Sequence, residues 1–187
     1  MSPGKKKQAI KAVVLVDAPA GSSLPALEGA LPLDRREALS GALLRRTGEW
    51  AKSLTGMEPS VVEIGGLAAA TAGAETVVIV RPALVRLSLD HAHDVRDDLA
   101  HGCGLVVGPT LTGGWYLLAL SPVNQDLIQA AGDGTSGTAG SLLAAAQNVS
   151  GLEVGLLGAE RDLVRPADVK AAQADPLVDL EISRLIT

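Results

Sequence analysis

The densest set of potential metal ligands in the sequence is DHAHDVRDDLAH, residues 90–101. At helical spacing His91, Asp94, Asp98 and His101 fall near one face, where imidazole and carboxylate could hold a divalent cation. That face lies opposite the apolar one, so the stretch reads better as a solvated, acid-rich helix surface. GDGTSGTAG (132–140) offers backbone N–H groups that could cradle a phosphate at a helix start. It lacks the Gly-Lys-Ser/Thr ending of a P-loop and has no Lys nearby, so it reads better as a flexible connection. No Gly-x-Ser-x-Gly elbow presents a hydrolase nucleophile. Cys103, the lone cysteine, follows His101 between two glycines and reads as a small buried side chain.

VVGPTLTGGWYLLAL (106–120) is more informative, because it holds two of the chain's three aromatic residues. Gly113 and Gly114 remove side chains where a ligand or another backbone comes close. Trp115 and Tyr116 then point to opposite faces of a strand. They read first as core anchors, with one ring walling a cleft as the alternative.

The elements that position these residues alternate between strand and helix. AVVLV (12–16), VVEI (61–64), TVVIV (76–80), LVV (105–107), WYLLAL (115–120) and VGLL (154–157) are short apolar runs of the buried-strand type. Between them, Asp34 is a candidate N-cap for a helix to about Leu54, with Glu37 completing part of a capping box. Trp50 falls on the apolar face of that helix and should pack in the core. Ser88 should cap a helix through His101, and Pro122 should open another at its first turn. A further helix should end near Asn148, and Pro166 should start a terminal helical region. This alternation predicts one α/β domain over 12–187, a three-layer α/β/α sandwich on a mainly parallel sheet, after a flexible segment 1–11. Ligands of such sheets bind beyond the carboxyl ends of the strands, which selects 17–27, 80–86, 108–114 and 158–166.

Composition narrows the partners. A net charge of −5 argues against nucleic acid, which requires a cationic footprint, and Lys5–Lys7 is the only basic run. No stretch approaches the ~20 apolar residues of a membrane span. The apolar run Ala12–Val16 is shorter than a signal-peptide core, so the expected location is the cytoplasm.

VVGPTLTGGWYLLAL resembles the GPA-x-DGGYYLLGL type of segment found in a bacterial family of small GT-A-like glycosyltransferase homologues, the DUF2064 or nucleotide-diphospho-sugar transferase family. VVLVDAPAG (13–21) is similar to that family's first strand and loop. VVIVRPAL (77–84) is similar to its central strand, and RDLVRPADV (161–169) to its closing DVDTPEDL segment. The resemblance implies a Rossmann-like GT-A fold that binds a nucleotide or nucleotide-sugar with Mg²⁺ or Mn²⁺. Carried onto this chain, the site residues are Asp17, Gly21, Arg81, Pro82, Gly108, Pro109, Thr112, Gly113, Gly114, Trp115, Tyr116 and Asp162.

The departures from that pattern fall on the charges. Asp17 stands at a Lys, and Leu24-Pro25-Ala26-Leu27 replaces a phosphate-meeting Lys-Thr-Arg-Leu. Val80 replaces the Asp of Asp-x-Pro, Thr112 the Asp of DGG, and Val164 the middle acid of the closing motif, whose outer acids persist as Asp162 and Asp168. Mg²⁺ binds oxygen ligands, commonly carboxylates with substrate phosphates. Valine cannot ligate, and threonine offers only a neutral hydroxyl. The implied protein is a pseudoenzyme-like relative that keeps a binding role while its metal-dependent reaction is weakened or gone. The alternative is an active glycosyltransferase or nucleotidyltransferase in which Arg81 meets the phosphate through its planar fork of donors.

Overall fold

β-Branched runs buried on both faces require a sheet covered from both sides. The computed structural model, which describes residues 9–16, 24–132 and 138–187, has that arrangement. One sheet contains β1 (Ile10–Val16), β2 (Ser60–Glu63), β3 (Thr76–Val80), β4 (Leu105–Pro109), β5 (Trp115–Leu120) and β6 (Val154–Leu156), in the order β2-β1-β3-β5-β4-β6. The helices among the described residues are α1 (Leu33–Thr55), α2 (Leu67–Thr71), α3 (Leu89–His101), α4 (Gln125–Ala131), α5 (Ala139–Ala146), α6 (Pro166–Gln173) and α7 (Leu180–Ile186).

Alternate residues of the central strands feed two separate cores. Val14, Val16, Val78 and Val80 face Trp50, Leu54 and Val95 from α1 and α3. Val13, Leu15, Val77 and Ile79 face Leu127, Ile128 and Leu142 from α4 and α5. A third cluster joins Leu27, Leu39 and Leu43 to Leu163, Val169, Ile182 and Ile186, fastening α6 and α7 onto α1. Trp50 is buried as expected, and its indole N–H donates to the Ser88 carbonyl at 2.8 Å, tying α1 to the start of α3.

The sheet is mainly parallel, with one exception that shapes the site. β1 runs parallel to β2 and β3, and β4 to β6, whereas β5 is antiparallel to both β3 and β4. The five residues 110–114 between β4 and β5 are far too few for a parallel crossover, which needs a dozen or more. The start of β5 therefore lies at the same edge as the carboxyl ends of the other strands.

Several local boundaries differ from the sequence expectation. β1 begins at Ile10, so Ile10 and Lys11 belong to the sheet rather than to a flexible start. Helix α1 begins at Leu33 with Pro32 at its N-cap, and Asp34 sits in the first turn, where its charge still suits the helix dipole. Pro122 lies in a connection, not at a helix start. α4 begins at Gln125, because the Asn124 side chain accepts from the Asp126 and Leu127 N–H groups at 2.9 and 3.2 Å. Helix α5 stops at Ala146, and the terminal region divides into α6 and α7.

Candidate functional site

The carboxyl edge is built from three chain segments that return to one place. The hairpin 110–114 closes through Thr110 N–H to Gly114 O at 2.9 Å and Gly113 N–H to Thr110 O at 3.0 Å. Gly113 has φ of +92°, a left-handed conformation that glycine adopts without steric cost. The Ala139 N–H at the start of α5 then donates to Gly113 O at 3.1 Å. Segment 157–163 crosses the same edge, pairing Glu160 with Thr110 and Asp162 with Leu84. Pro82 centres a tight turn in which Ala83 N–H donates to Arg81 O at 2.9 Å, and Pro109 O accepts from Glu160 N–H at 3.1 Å. Of the four stretches selected from the sequence, 80–86, 108–114 and 158–166 meet here. Asp17 and Gly21 lie outside the described residues, as does most of the 132–140 loop.

At the centre of this edge, Thr112 holds Asp162. The threonine hydroxyl donates to both carboxylate oxygens, at 3.0 and 2.9 Å, and lies 2.9 Å from the Thr110 hydroxyl. Asp162 is 2% exposed, and Thr112 is its hydrogen-bonding side chain among the described residues. A buried carboxylate left without donors is costly. Thr112→Val should therefore cost about 2 kcal/mol of stability, read from urea unfolding. Thr112→Ser, which keeps the donor, should cost much less.

Among the described residues, the neighbouring groups do not complete a cation site. Val80 and Val164 carry no donor atom. Among the described residues no three His, Cys, Asp or Glu side chains converge to hold a metal. The donor set at Asp162 is one carboxylate already satisfied by a neutral hydroxyl. These residues do not fit the Mg²⁺ or Mn²⁺ that the resemblance implied.

Trp115 and Tyr116 are both fully buried, in opposite cores, so neither ring walls a cleft. Gly108 pairs with Leu117 and Pro109 with Trp115, which leaves Tyr116 as the extra residue of a β-bulge. Each ring buries its apolar body and spends its polar tip on a backbone carbonyl. Trp115 Nε1 donates to Ala131 O at 2.9 Å, and the Tyr116 hydroxyl to Gly158 O at 3.2 Å. Arg81 is turned inward as well, 2% exposed, with Nη1 donating to Trp115 O at 3.2 Å and its guanidinium 6.0 Å from the centre of the Trp115 ring. In this conformation it supports the hairpin from within.

His91 also departs from the sequence reading. It does not face solvent on an acidic surface: its side chain is 13% exposed, edge-on to Tyr116 at 5.7 Å. Ser88 and His91 form a capping box, with Ser88 N–H donating to His91 Nδ1 at 3.2 Å. The neutral ring consequently carries its proton on Nε2, which lies 3.4 Å from Glu160 Oε1. Glu160 carries no sequence signal for this role. Only the return of 157–163 across the edge brings it to His91. Asp94 and His101 are exposed, and Asp98 packs against Gly155, so the four candidate ligands do not meet.

Burial, reinforced by the nearby charges of Glu160 and Asp94, raises the Tyr116 phenol well above its ordinary value. Deprotonation then favours the unfolded chain. The stability this residue contributes is complete below about pH 10 and is lost as pH rises further. Tyr116 is the only tyrosine in the sequence. Alkaline titration should show no phenolate absorbance until the protein unfolds. A reversible phenolate signal near pH 10 in the folded protein would contradict its placement. Burial likewise pushes the Cys103 thiol up, with Asp98 and Glu153 adding to the effect, so Cys103 is poorly suited to nucleophilic work.

A separate cavity of about 380 Å³ lies between α1 and β2, lined by residues including Leu44, Lys52, Glu58 and Val61. It adjoins the amino end of β2 rather than the carboxyl edge. No described helix is long and apolar enough to cross a membrane.

No protein-family model matches the chain, and no curated protein matches it significantly. Among solved structures it is similar to a candidate nucleotide-diphospho-sugar transferase from Desulfovibrio desulfuricans G20. The TM-score is 0.65 at 14% identity, over 96% of this chain and 94% of that one. It also matches a Mycobacterium tuberculosis H37Rv protein at a TM-score of 0.46 and 14% identity, over 88% of this chain and 96% of that one. The first likeness shows that the chain has the nucleotide-diphospho-sugar transferase fold.

Proposed function

We propose that this chain is a divergent member of the nucleotide-diphospho-sugar transferase group, of the DUF2064 kind. In this reading it binds a nucleotide or nucleotide-sugar at the carboxyl edge without a divalent cation, and its metal-dependent transfer is weakened or lost. The fold, and a ligand edge assembled from 80–86, 108–114 and 158–166, support the binding half of this reading. The observation that carries the catalytic half is the Thr112–Asp162 hydrogen bond. It satisfies internally the carboxylate that a cation would otherwise bind, at a position where the resemblance calls for a second acid. Fold alone does not confer activity, which depends on the groups at the site.

The test is a thermal-melting panel with ADP, CDP, GDP, UDP and their sugar conjugates. A ligand of the folded state raises the midpoint by mass action, by the equivalent of about 2.7 kcal/mol at a hundred times Kd. At least one nucleoside diphosphate should raise it. No shift across the panel would sink the binding half. Release of free sugar or transfer to an acceptor, dependent on added Mg²⁺, would sink the catalytic half.

A further inference from the structure

From the paired arginines of the closing segment, we infer that Arg161 and Arg165 form an anion site for the diphosphate of the ligand. This inference rests on the nucleotide-binding reading above and names the groups that would meet the phosphates. Both guanidiniums converge on one carboxylate, Asp168, whose side chain is 1% exposed. Arg161 Nη1 donates to Oδ1 at 3.3 Å, while Arg165 donates through Nε to Oδ2 and through Nη2 to Oδ1, both at 3.4 Å. Two positive charges against one negative leave a net positive charge. The arginine side chains remain 40% and 59% exposed even though their shared partner is buried. Each guanidinium carries five N–H donors, and Asp168 engages one from Arg161 and two from Arg165. Those contacts are longer than the usual 2.7–3.2 Å of an N–H···O bond, so they compete weakly with a phosphate.

The position suits the assignment. Arg161 stands between Glu160, paired to the segment after β4, and Asp162, paired to the segment after β3, which places it at the ligand edge. The flanking carboxylates are directed elsewhere, Glu160 to His91 and Asp162 to Thr112. Arg165 precedes Pro166, which lies beside Gly29, and the cluster around Leu163 and Val169 includes Leu27. The pair therefore neighbours the segment 24–29 that follows β1, where the resemblance expected cationic residues and Leu24–Leu27 supplies none. Arginine suits the task because its planar fork matches phosphate oxygens two at a time.

The experiment is calorimetric titration of the full chain with inorganic pyrophosphate and with the nucleoside diphosphate that gives the largest thermal shift. Wild type is compared with Arg161→Gln, Arg165→Gln and the two Arg→Lys variants. Each single variant leaves one guanidinium on Asp168, and melting without ligand checks the fold. The Gln variants should weaken both ligands about tenfold or more, as expected for a lost charge-assisted hydrogen bond. The Lys variants should lose less, because they keep the charge and lose only the fork. Nucleotide binding equally tight in wild type and all variants would overturn the arginine site and leave the nucleotide reading standing. Arginine-dependent pyrophosphate binding that the nucleoside does not strengthen would support the site and sink the nucleotide reading. Failure of wild type to bind either ligand would overturn both.

Discussion

Trp115→Ala should lower the thermal midpoint by roughly 10–20 °C, the largest effect expected of any single substitution considered for this chain. Trp115 is fully buried in the core beneath α4 and α5, and it does three things at once. Its ring fills space between the sheet and Ala131, its N–H satisfies the Ala131 carbonyl, and its face lies 6.0 Å from the Arg81 guanidinium. Deleting a buried tryptophan side chain commonly costs about 3–5 kcal/mol through lost transfer energy and the cavity left behind. The unsatisfied carbonyl adds to that cost, since a buried acceptor that loses its donor bears the desolvation penalty. Trp115→Phe keeps most of the apolar contact and loses only the donor and part of the volume, so its midpoint should fall by less than half as much. Far-UV circular dichroism melts of both variants would decide the matter. A loss under about 1 kcal/mol for Trp115→Ala would mean that the ring is not packed as described.

Gly108→Ala should be nearly as severe although it adds a single methyl group. A Cβ at this position would stand 2.5 Å from Tyr116 Cζ and 2.8 Å from both Cε atoms. The ring has no easy retreat, because it is fully buried, its hydroxyl is bound to Gly158 O, and His91 lies edge-on to it. Overpacking of this kind costs about 1–3 kcal/mol and sometimes more, and the rigidity of the ring places this case near about 3 kcal/mol. Combining Gly108→Ala with Tyr116→Leu separates the clash from any general effect of the alanine. The double variant should lose less than the sum of the singles by about 1 kcal/mol or more. Strict additivity would show that the two residues do not meet.

Much of the architecture could be read from the residues, because the strands are β-branched runs and the Ser88 cap marks its helix without help from distant parts of the chain. The antiparallel course of β5 was also readable, since the five residues 110–114 cannot carry a parallel crossover. An apolar run by itself carries no direction. Asn124 and Pro122 are both residue types that favour helix starts, and the side-chain cap of Asn124 decides between them. At the site, the Trp-Tyr pair was correctly read first as core anchors. What could not be read was the pairing of Thr112 with Asp162, of His91 with Glu160, and of two arginines with Asp168. Each joins residues through a return of the chain across the sheet edge, or through burial of a charge, and neither leaves a periodic trace in sequence. The placement of Arg81 was likewise not legible in the sequence. Just beyond β3, its guanidinium is drawn inward by the Trp115 carbonyl and ring.

Ligand binding at the carboxyl edge should need no metal. The direct measurement is a calorimetric titration of the best-binding nucleoside diphosphate, done once in a metal chelator and once in excess Mn²⁺. With Asp162 satisfied by the Thr112 hydroxyl, the two affinities should agree within about twofold, well under the tenfold that 1.4 kcal/mol represents. Binding that appears only with Mn²⁺, or tightens tenfold or more in its presence, would show that the carboxyl edge still assembles a cation site.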